Sequence, residues 1–175
     1  MLKNEERFRT ETVEALAKEL ALAARTAPKA KGIDLLEILV LTGEDIVKLS
    51  EAMKKIGERE ALPGFLRDSE NIKKAQAMLL IGTKKKTIGL KYCSFCGFKN
   101  CQAAEQAGAI CAYNTNDLGV AVGSAVAVAA NHRLDNRIMY SVGKTAVETG
   151  LLGSEVVVAL GIPLSVSGKN PFFDR

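Results

Sequence analysis

All four cysteines of the chain fall within 19 residues, in the order Cys93-x2-Cys96-x4-Cys101-x9-Cys111. Nothing else in the sequence restricts the fold as strongly, because the backbone between Cys93 and Cys111 has to offer the thiols to one place if they act together. A Cys-x2-Cys turn sets two sulfurs on one centre, and the short separations to the third and fourth let one loop-plus-helix unit close a tetrahedral set. Four thiolates are a complete ligand set for a [4Fe–4S] cluster or for zinc. A four-cysteine structural zinc site ordinarily uses two Cys-x2-Cys knuckles, and only Cys93 and Cys96 form one. The spacing therefore points first to iron–sulfur, with zinc and unliganded thiols as the alternatives. Four cysteines among 175 residues are too few for a disulfide scaffold.

The neighbours of the cysteines add to this reading. Gly97 directly after Cys96 lets backbone N–H groups turn toward sulfur. Asn100 is placed to cap a helix beginning near Cys101, and a helix N-terminus favours thiolate. Tyr92, Phe95, Phe98 and Tyr113 are four of the nine aromatic residues in the chain, which predicts a collar that keeps water from a redox centre. Residues 71–104 hold seven lysines and no acidic residue, a field suited to an anionic thiolate centre or to an acidic electron-transfer partner. The same lysines read equally well as a solvated face.

Around this segment the pattern is that of a layered protein. Val13, Leu16, Ala17, Leu20 and Ala24 predict an amphipathic helix over 11–24 that ends before Pro28. Residues 35–41 read as a buried strand and 45–56 as a second helix. A loop over 61–67 with Pro63-Gly64 leads into a short helix at 69–75, and 77–82 form a second strand. Residues 118–130 are assigned to a helix capped by Asn116 or Asp117, with the small residues Gly119, Gly123 and Ala127 in one row. Another helix is expected over 135–149, and a third strand over 155–160 closed by a turn at Gly161-Ile162-Pro163. Residues 1–88 carry 31 of the 44 charged side chains, so the N-terminal part is expected to supply outer helices and the C-terminal part the core. The expected fold is α+β, layered α/β/α about a central mixed or antiparallel sheet. A single domain over 1–175 is expected, with a cysteine-rich metal-binding insertion at about 90–112.

Several function classes lack support. The longest weakly polar run, 118–130, is too short to span a membrane. The charged N-terminus has no apolar run behind it, which predicts a cytosolic, reducing location. A net charge of +4 does not announce a nucleic-acid binder. Gly143-Lys144-Thr145 lacks the earlier glycine of a phosphate loop, and Ser141-x-x-Lys144 has no partner motif. His132, the only histidine, reads as a helix-end residue, so hydrolytic chemistry has no anchor.

The run Cys93-Ser94-Phe95-Cys96-Gly97-Phe98-Lys99-Asn100-Cys101 resembles the Cys-x2-Cys-Gly-x3-Cys opening of the [4Fe–4S] module in corrinoid iron–sulfur proteins and electron-transport complexes. With Cys111-Ala112-Tyr113-Asn114-Thr115-Asn116-Asp117-Leu118-Gly119 and the C-terminal Gly161-Ile162-Pro163-Leu164-Ser165-Val166-Ser167-Gly168-Lys169-Asn170-Pro171, nearly the whole chain resembles the ferredoxin domain-containing protein family of bacteria and archaea. That resemblance implies a cluster and no particular reaction. The order of first helix, Pro28, strand and a late Gly161-x-Pro163 is similar to nitroreductase-like flavoproteins, which hold FMN at a dimer interface. It implies Pro28 and Lys29 near a flavin ring, Lys169 or Arg175 near its phosphate, and a homodimer through the row of Gly119, Gly123 and Ala127. Packing of that row inside one subunit is the alternative. The chain departs from the flavoprotein pattern at Arg7-Phe8-Arg9, where an Arg-x-Ser-x-Arg motif is usual, and at Lys29, where a serine is usual. The expected function is iron–sulfur redox or electron transfer with a redox partner protein or flavin, extended by an FMN-dependent oxidoreductase activity. A zinc-stapled binding protein without redox activity is the alternative.

Overall fold

The computed structural model describes residues 3–173, so the expectation for Arg175 lies outside the described residues. Helix α1 (Arg9–Thr26) buries Val13, Ala17, Leu20 and Ala24 along one stripe, as spacings of three and four require. It stops at Ala27, whose backbone is extended (φ −54°, ψ 141°), because the residue before a proline is pushed out of the helical region. Strand β1 (Leu36–Thr42), helices α2 (Gly43–Arg59) and α3 (Pro63–Ile72) and strand β2 (Ala77–Lys84) follow. After a long loop come α4 (Cys101–Gln106), α5 (Ala112–Asn131), the two-residue β3 (Asp135–Asn136), α6 (Tyr140–Glu148) and β4 (Val156–Ser165).

The sheet order is β1-β2-β4-β3 with every pair antiparallel, and helices cover both faces. The fold is therefore the expected layered α+β arrangement. Alternation along β2 divides its side chains between the two faces: Leu79 and Ile81 join α1 and α5, while Met78 and Leu80 join α2 and α6. Gly143 lets α6 approach β4 closely, since a Cβ there would stand 1.8 Å from the carbonyl oxygen of Ala159. Among the described residues no helix is long and apolar enough to cross a membrane.

Four expected boundaries are corrected. Pro63 opens α3 instead of standing in a loop, because a proline at the first helical position gives up an N–H that has no partner there in any case. Helix α5 starts at Ala112, well before Asn116 and Asp117, and Asp117 turns its carboxylate to the Ala30 N–H at 3.0 Å. Residues 135–136 pair with Ser165 and Leu164 as an edge strand, so the helix expected from 135 begins only at Tyr140. Gly161, Ile162 and Pro163 form no turn; they lie within β4, opposite Leu80, Leu79 and Met78 of β2. On the other side of β4 the register set by the Asp135–Ser165 and Met139–Gly161 pairs puts Arg137 opposite Pro163. A proline has no N–H to donate, which is why β3 ends at Asn136 and pairing resumes only at Met139.

Candidate metal centre

Residues 85–100, between β2 and α4, form no helix or strand. The loop is pinned from three directions. The Lys85 N–H donates to the Glu155 carbonyl at 2.9 Å, which extends the sheet by one bond. The Asn114 side-chain amide, from the first turn of α5, donates to the carbonyls of Lys84 (3.1 Å) and Lys86. Lys31 Nζ reaches the carbonyls of Ile88 and Gly89 at 3.4 and 3.5 Å. Left-handed backbone at Ser94 (φ +62°) and Gly97 (φ +83°) then turns the chain back on itself, with the Gly97 N–H on the Ser94 carbonyl. Asn100 ends the loop by accepting the Ala103 N–H at 2.9 Å, the cap that its place before Cys101 predicts.

All four cysteines are free thiols, half-buried, and line one cavity of about 50 Å³. Cys93 and Cys96 come from the loop, Cys101 is the first residue of α4, and Cys111 stands immediately before α5. The Phe95 N–H donates to Cys93 Sγ at 3.5 Å, and Cys101 Sγ donates to the Leu90 carbonyl at 3.8 Å. Among the described residues no group of three or more His, Cys, Asp or Glu side chains is arranged to hold one metal ion. The thiols share a cavity without converging on a point. In donor chemistry the set suits a thiolate-bound centre; in geometry the loop has to draw the sulfurs together.

The expected aromatic collar is only half present. Phe98 and Tyr113 line the cavity, but Phe95 is 74% exposed and stacks outside on Tyr113 at 5.7 Å, and Tyr92 is fully exposed at its rim. Among the described residues the one ring contact of this pair is that of Phe95 with Tyr113 of α5, and it covers a single face of Phe95. The lysine field is partly neutralised. Lys84 pairs with Glu37 at 2.6 Å and more distantly with Glu155, and the hydrogen bond it donates to the Glu37 carboxylate holds its ammonium above the usual lysine range. Among the described residues Lys85, Lys86, Lys91 and Lys99 have no carboxylate in ion-pair range, so the loop itself stays basic.

The residues expected around a flavin are separated. Lys169 lines a second cavity, about 410 Å³, together with Arg9, Lys74 and Gln76. Pro28 and Lys29 lie past the other end of α1, a helix about 27 Å long at 1.5 Å per residue. Lys29 Nζ is engaged there, donating to the carbonyls of Ala24 (3.1 Å), Ala27 (2.7 Å) and Arg25, so it caps the end of α1. The turn that follows, Ala30–Gly32, adjoins the cysteine loop through Lys31 and α5 through Asp117. The turn after Pro28 thus meets the segment leading to the cysteines, whereas Lys169 shares a cavity with Arg9 at the opposite end of α1. Sequence reasoning missed Asn114, and it read Asp117 as a helix cap where the residue instead accepts the Ala30 N–H. Their signal was two polar residues three apart on the face of a helix that continues as Leu118, Ala121, Ala125 and Ala129, all buried.

Residues 107–175, which include Cys111, match the family described as "Uncharacterized protein containing a ferredoxin domain (DUF2148)". An uncharacterized protein of Archaeoglobus fulgidus is 42% identical over 184 residues, covering 100% of this chain and 98% of that protein. In three dimensions the chain is similar to a nitroreductase with bound FMN from Desulfitobacterium hafniense (TM-score 0.60, 13% identity, 97% of this chain and 81% of that one). It is also similar to an NADPH:FMN oxidoreductase from Vibrio harveyi complexed with NAD+ (TM-score 0.56, 12% identity, 92% of this chain and 63% of that one). At such identities the likeness is one of fold, and the fold is that of the nitroreductases.

Proposed function

This chain belongs to the uncharacterized family of proteins containing a ferredoxin domain, and from that premise we propose that it is an iron–sulfur electron-transfer protein. Cys93, Cys96, Cys101 and Cys111 would hold one [4Fe–4S] cluster, and residues 85–111 are then a metal-binding insertion between β2 and α5. The observation that carries the proposal is that all four thiols of the chain, drawn from a loop and two helix starts, line one cavity. A cluster held there supplies one-electron transfer at a potential set by its charge, its hydrogen bonds and its exposure. The chain's own part is to donate the Phe95 N–H to the Cys93 sulfur, to keep Phe98 and Tyr113 against the cavity, and to line it with Lys91 and Lys99, with Lys85 and Lys86 at the start of the same loop. Anaerobic purification with iron, sulfide and zinc analysis tests this. About four irons and four sulfides per chain are expected, with most of the iron lost on replacing any one cysteine by serine. Stoichiometric zinc after reconstitution with iron and sulfide would replace the reading by the zinc-stapled alternative.

A flavin is the second reading, supported by Lys169 sharing its cavity with Arg9 and Lys74, cations suited to a phosphate. Pro28 would then serve the ring end, beside the cysteine loop. Quenching of FMN fluorescence at tens of micromolar is expected, about the range of ordinary cofactor affinities. No quenching there leaves the fold without flavin. The proposed assembly is a homodimer through α5. Leu118, Ala121, Ala125 and Ala129 face the core, whereas Gly119, Gly123 and Ala127 are exposed with no atom within 4 Å of a Cβ built on either glycine. Light scattering giving a monomer mass at micromolar concentration rejects it.

A further inference from the structure

On the face of the sheet away from α1 and α5, the starts of α3 and α6 meet at a cavity of about 440 Å³ that neither the cysteines nor the flavin reading uses. We propose that this cavity binds a small aromatic carboxylate. Its volume is within the range of small-molecule sites. The cationic groups are Arg67 and Arg137, and the one acid among the cavity residues is Asp68, whose side chain is 9% exposed. Asp68 Oδ1 accepts from Arg67 Nε and Nη2 at 3.0 and 2.8 Å, and Oδ2 accepts from the Ser141 hydroxyl at 2.6 Å. Arg137 lies 3.8 Å from the same carboxylate, donates from Nη1 to the Phe172 carbonyl and covers the Phe173 ring at 5.2 Å. Among the described residues, two guanidiniums against one buried carboxylate leave a single positive charge at a cavity open to solvent on one side. One negative charge neutralises it, which selects a carboxylate over a dianionic phosphate.

The remainder of the cavity is apolar. Phe65 is buried and meets Tyr140 edge to face at 5.9 Å, which leaves Tyr140 65% exposed. Ile138 at 46% and Leu62 at 37% complete an exposed apolar rim around the charged floor. Exposed rings and branched side chains grouped about an unneutralised charge are the composition of a ligand site, and a flat ring is what packs against Tyr140. Neither α3 nor α6 carries a side-chain cap or an acidic residue of its own in its first turn, so both helix starts add to the positive field, and Asp68, bonded to Ser141, is the one carboxylate of the cavity set against them. The inference stands apart from the redox reading, since no metal or flavin enters it.

Phenylacetate titrated into the full chain, followed by ligand-observed NMR and calorimetry, is the test. Saturable binding at or below about 1 mM is expected, with phenylacetamide, the neutral analogue, about tenfold weaker or more. Arg137→Gln and Tyr140→Ala should each weaken phenylacetate by about tenfold. Because Arg137 also anchors the C-terminal segment, the comparison of acid with amide on the unaltered protein and the Tyr140→Ala variant decide the matter if Arg137→Gln does not fold. No saturation by about 10 mM phenylacetate, equal affinity for acid and amide, or displacement by equimolar inorganic phosphate overturns the proposal, the last showing an adventitious anion only. So does Tyr140→Ala dissociating a dimer without saturable binding, which makes the face a contact with a second copy. A protein without iron that still binds phenylacetate leaves this inference standing and sinks the redox one.

Discussion

Replacing Asn114 tests the link between fold and cysteine loop most directly. Its side chain is buried, its amide N–H groups satisfy the carbonyls of Lys84 and Lys86, and its own Oδ1 has no partner. Asn114→Leu keeps the branching and heavy-atom count of the side chain, at somewhat greater bulk, and sets an apolar group against both carbonyls. Two lost hydrogen bonds at about 1 kcal/mol each, plus about 1–3 kcal/mol for a carbonyl left dry, are offset by about 1–2 kcal/mol from removing the orphaned Oδ1. The net loss is about 1–4 kcal/mol, and for a chain of this size each kcal/mol lowers the melting temperature by about 2–4 °C. Asn114→Ala leaves room for water to reach the carbonyls and should lose about half as much. Thermal melts by circular dichroism give the global effect. Thiol titration with a chromogenic disulfide gives the local one, and the cysteines should react faster in both variants because the loop has lost one of its pins. Asn114→Leu melting at or above the unaltered protein would refute the reasoning, since the orphaned oxygen would then outweigh the two bonds. Unchanged thiol rates in a destabilised variant would show that Asn114 serves the core and not the loop.

Gly143→Ala sets a Cβ 1.8 Å from the Ala159 carbonyl oxygen, and neither backbone can withdraw. A loss of more than about 3 kcal/mol is expected in urea unfolding, whereas Gly119→Ala, inside α5 with no atom within 4 Å in one chain, should gain about 0.5–1 kcal/mol unless it disturbs a dimer, which light scattering reads. Lys29→Ala removes the cap on the end of α1 and should lower stability by about 1–2 kcal/mol while leaving any FMN binding unchanged; a large loss of FMN affinity at unchanged stability would restore Lys29 to the flavin. For Asp34, burial works to raise the carboxyl, but the Arg25 guanidinium at 2.7 Å and the Leu36 N–H at 3.0 Å outweigh it and hold it below its ordinary value. A lowered folded value means the stabilisation is present above the unfolded value, about pH 4, and is lost as pH falls through the folded one. The urea-midpoint gap between the unaltered protein and Arg25→Met should therefore shrink between about pH 6 and pH 2.5; a constant gap would show that the carboxylate contributes nothing.

Periodicity and spacing, which are properties of a sequence, carried the local elements. The stripe Val13, Ala17, Leu20, Ala24 required α1, the Pro28 brake ended it, and the apolar runs required β1 and β2. Asn100 announced its cap, and the cysteine spacing announced four thiols at one cavity. What sequence could not carry were the outcomes of long-range competition. Residues 135–136 and 161–163 have local patterns compatible with a helix and a turn, yet backbone bonds across the sheet are made only when distant segments meet, and those bonds won. The same holds at the sites. Tyr92 and Phe95 look like a collar in sequence, but Tyr92 stays exposed and Phe95 meets α5 only through Tyr113, so neither is buried. Lys29 resembles a cofactor residue until the carbonyl ends of α1 claim its ammonium. Arg67, Asp68, Arg137 and Ser141 come from segments about 70 residues apart and form one charged floor only because α3 and α6 pack side by side. A side chain's chemistry is written locally, but its partners are chosen by the packing of layers, which depends on every element at once.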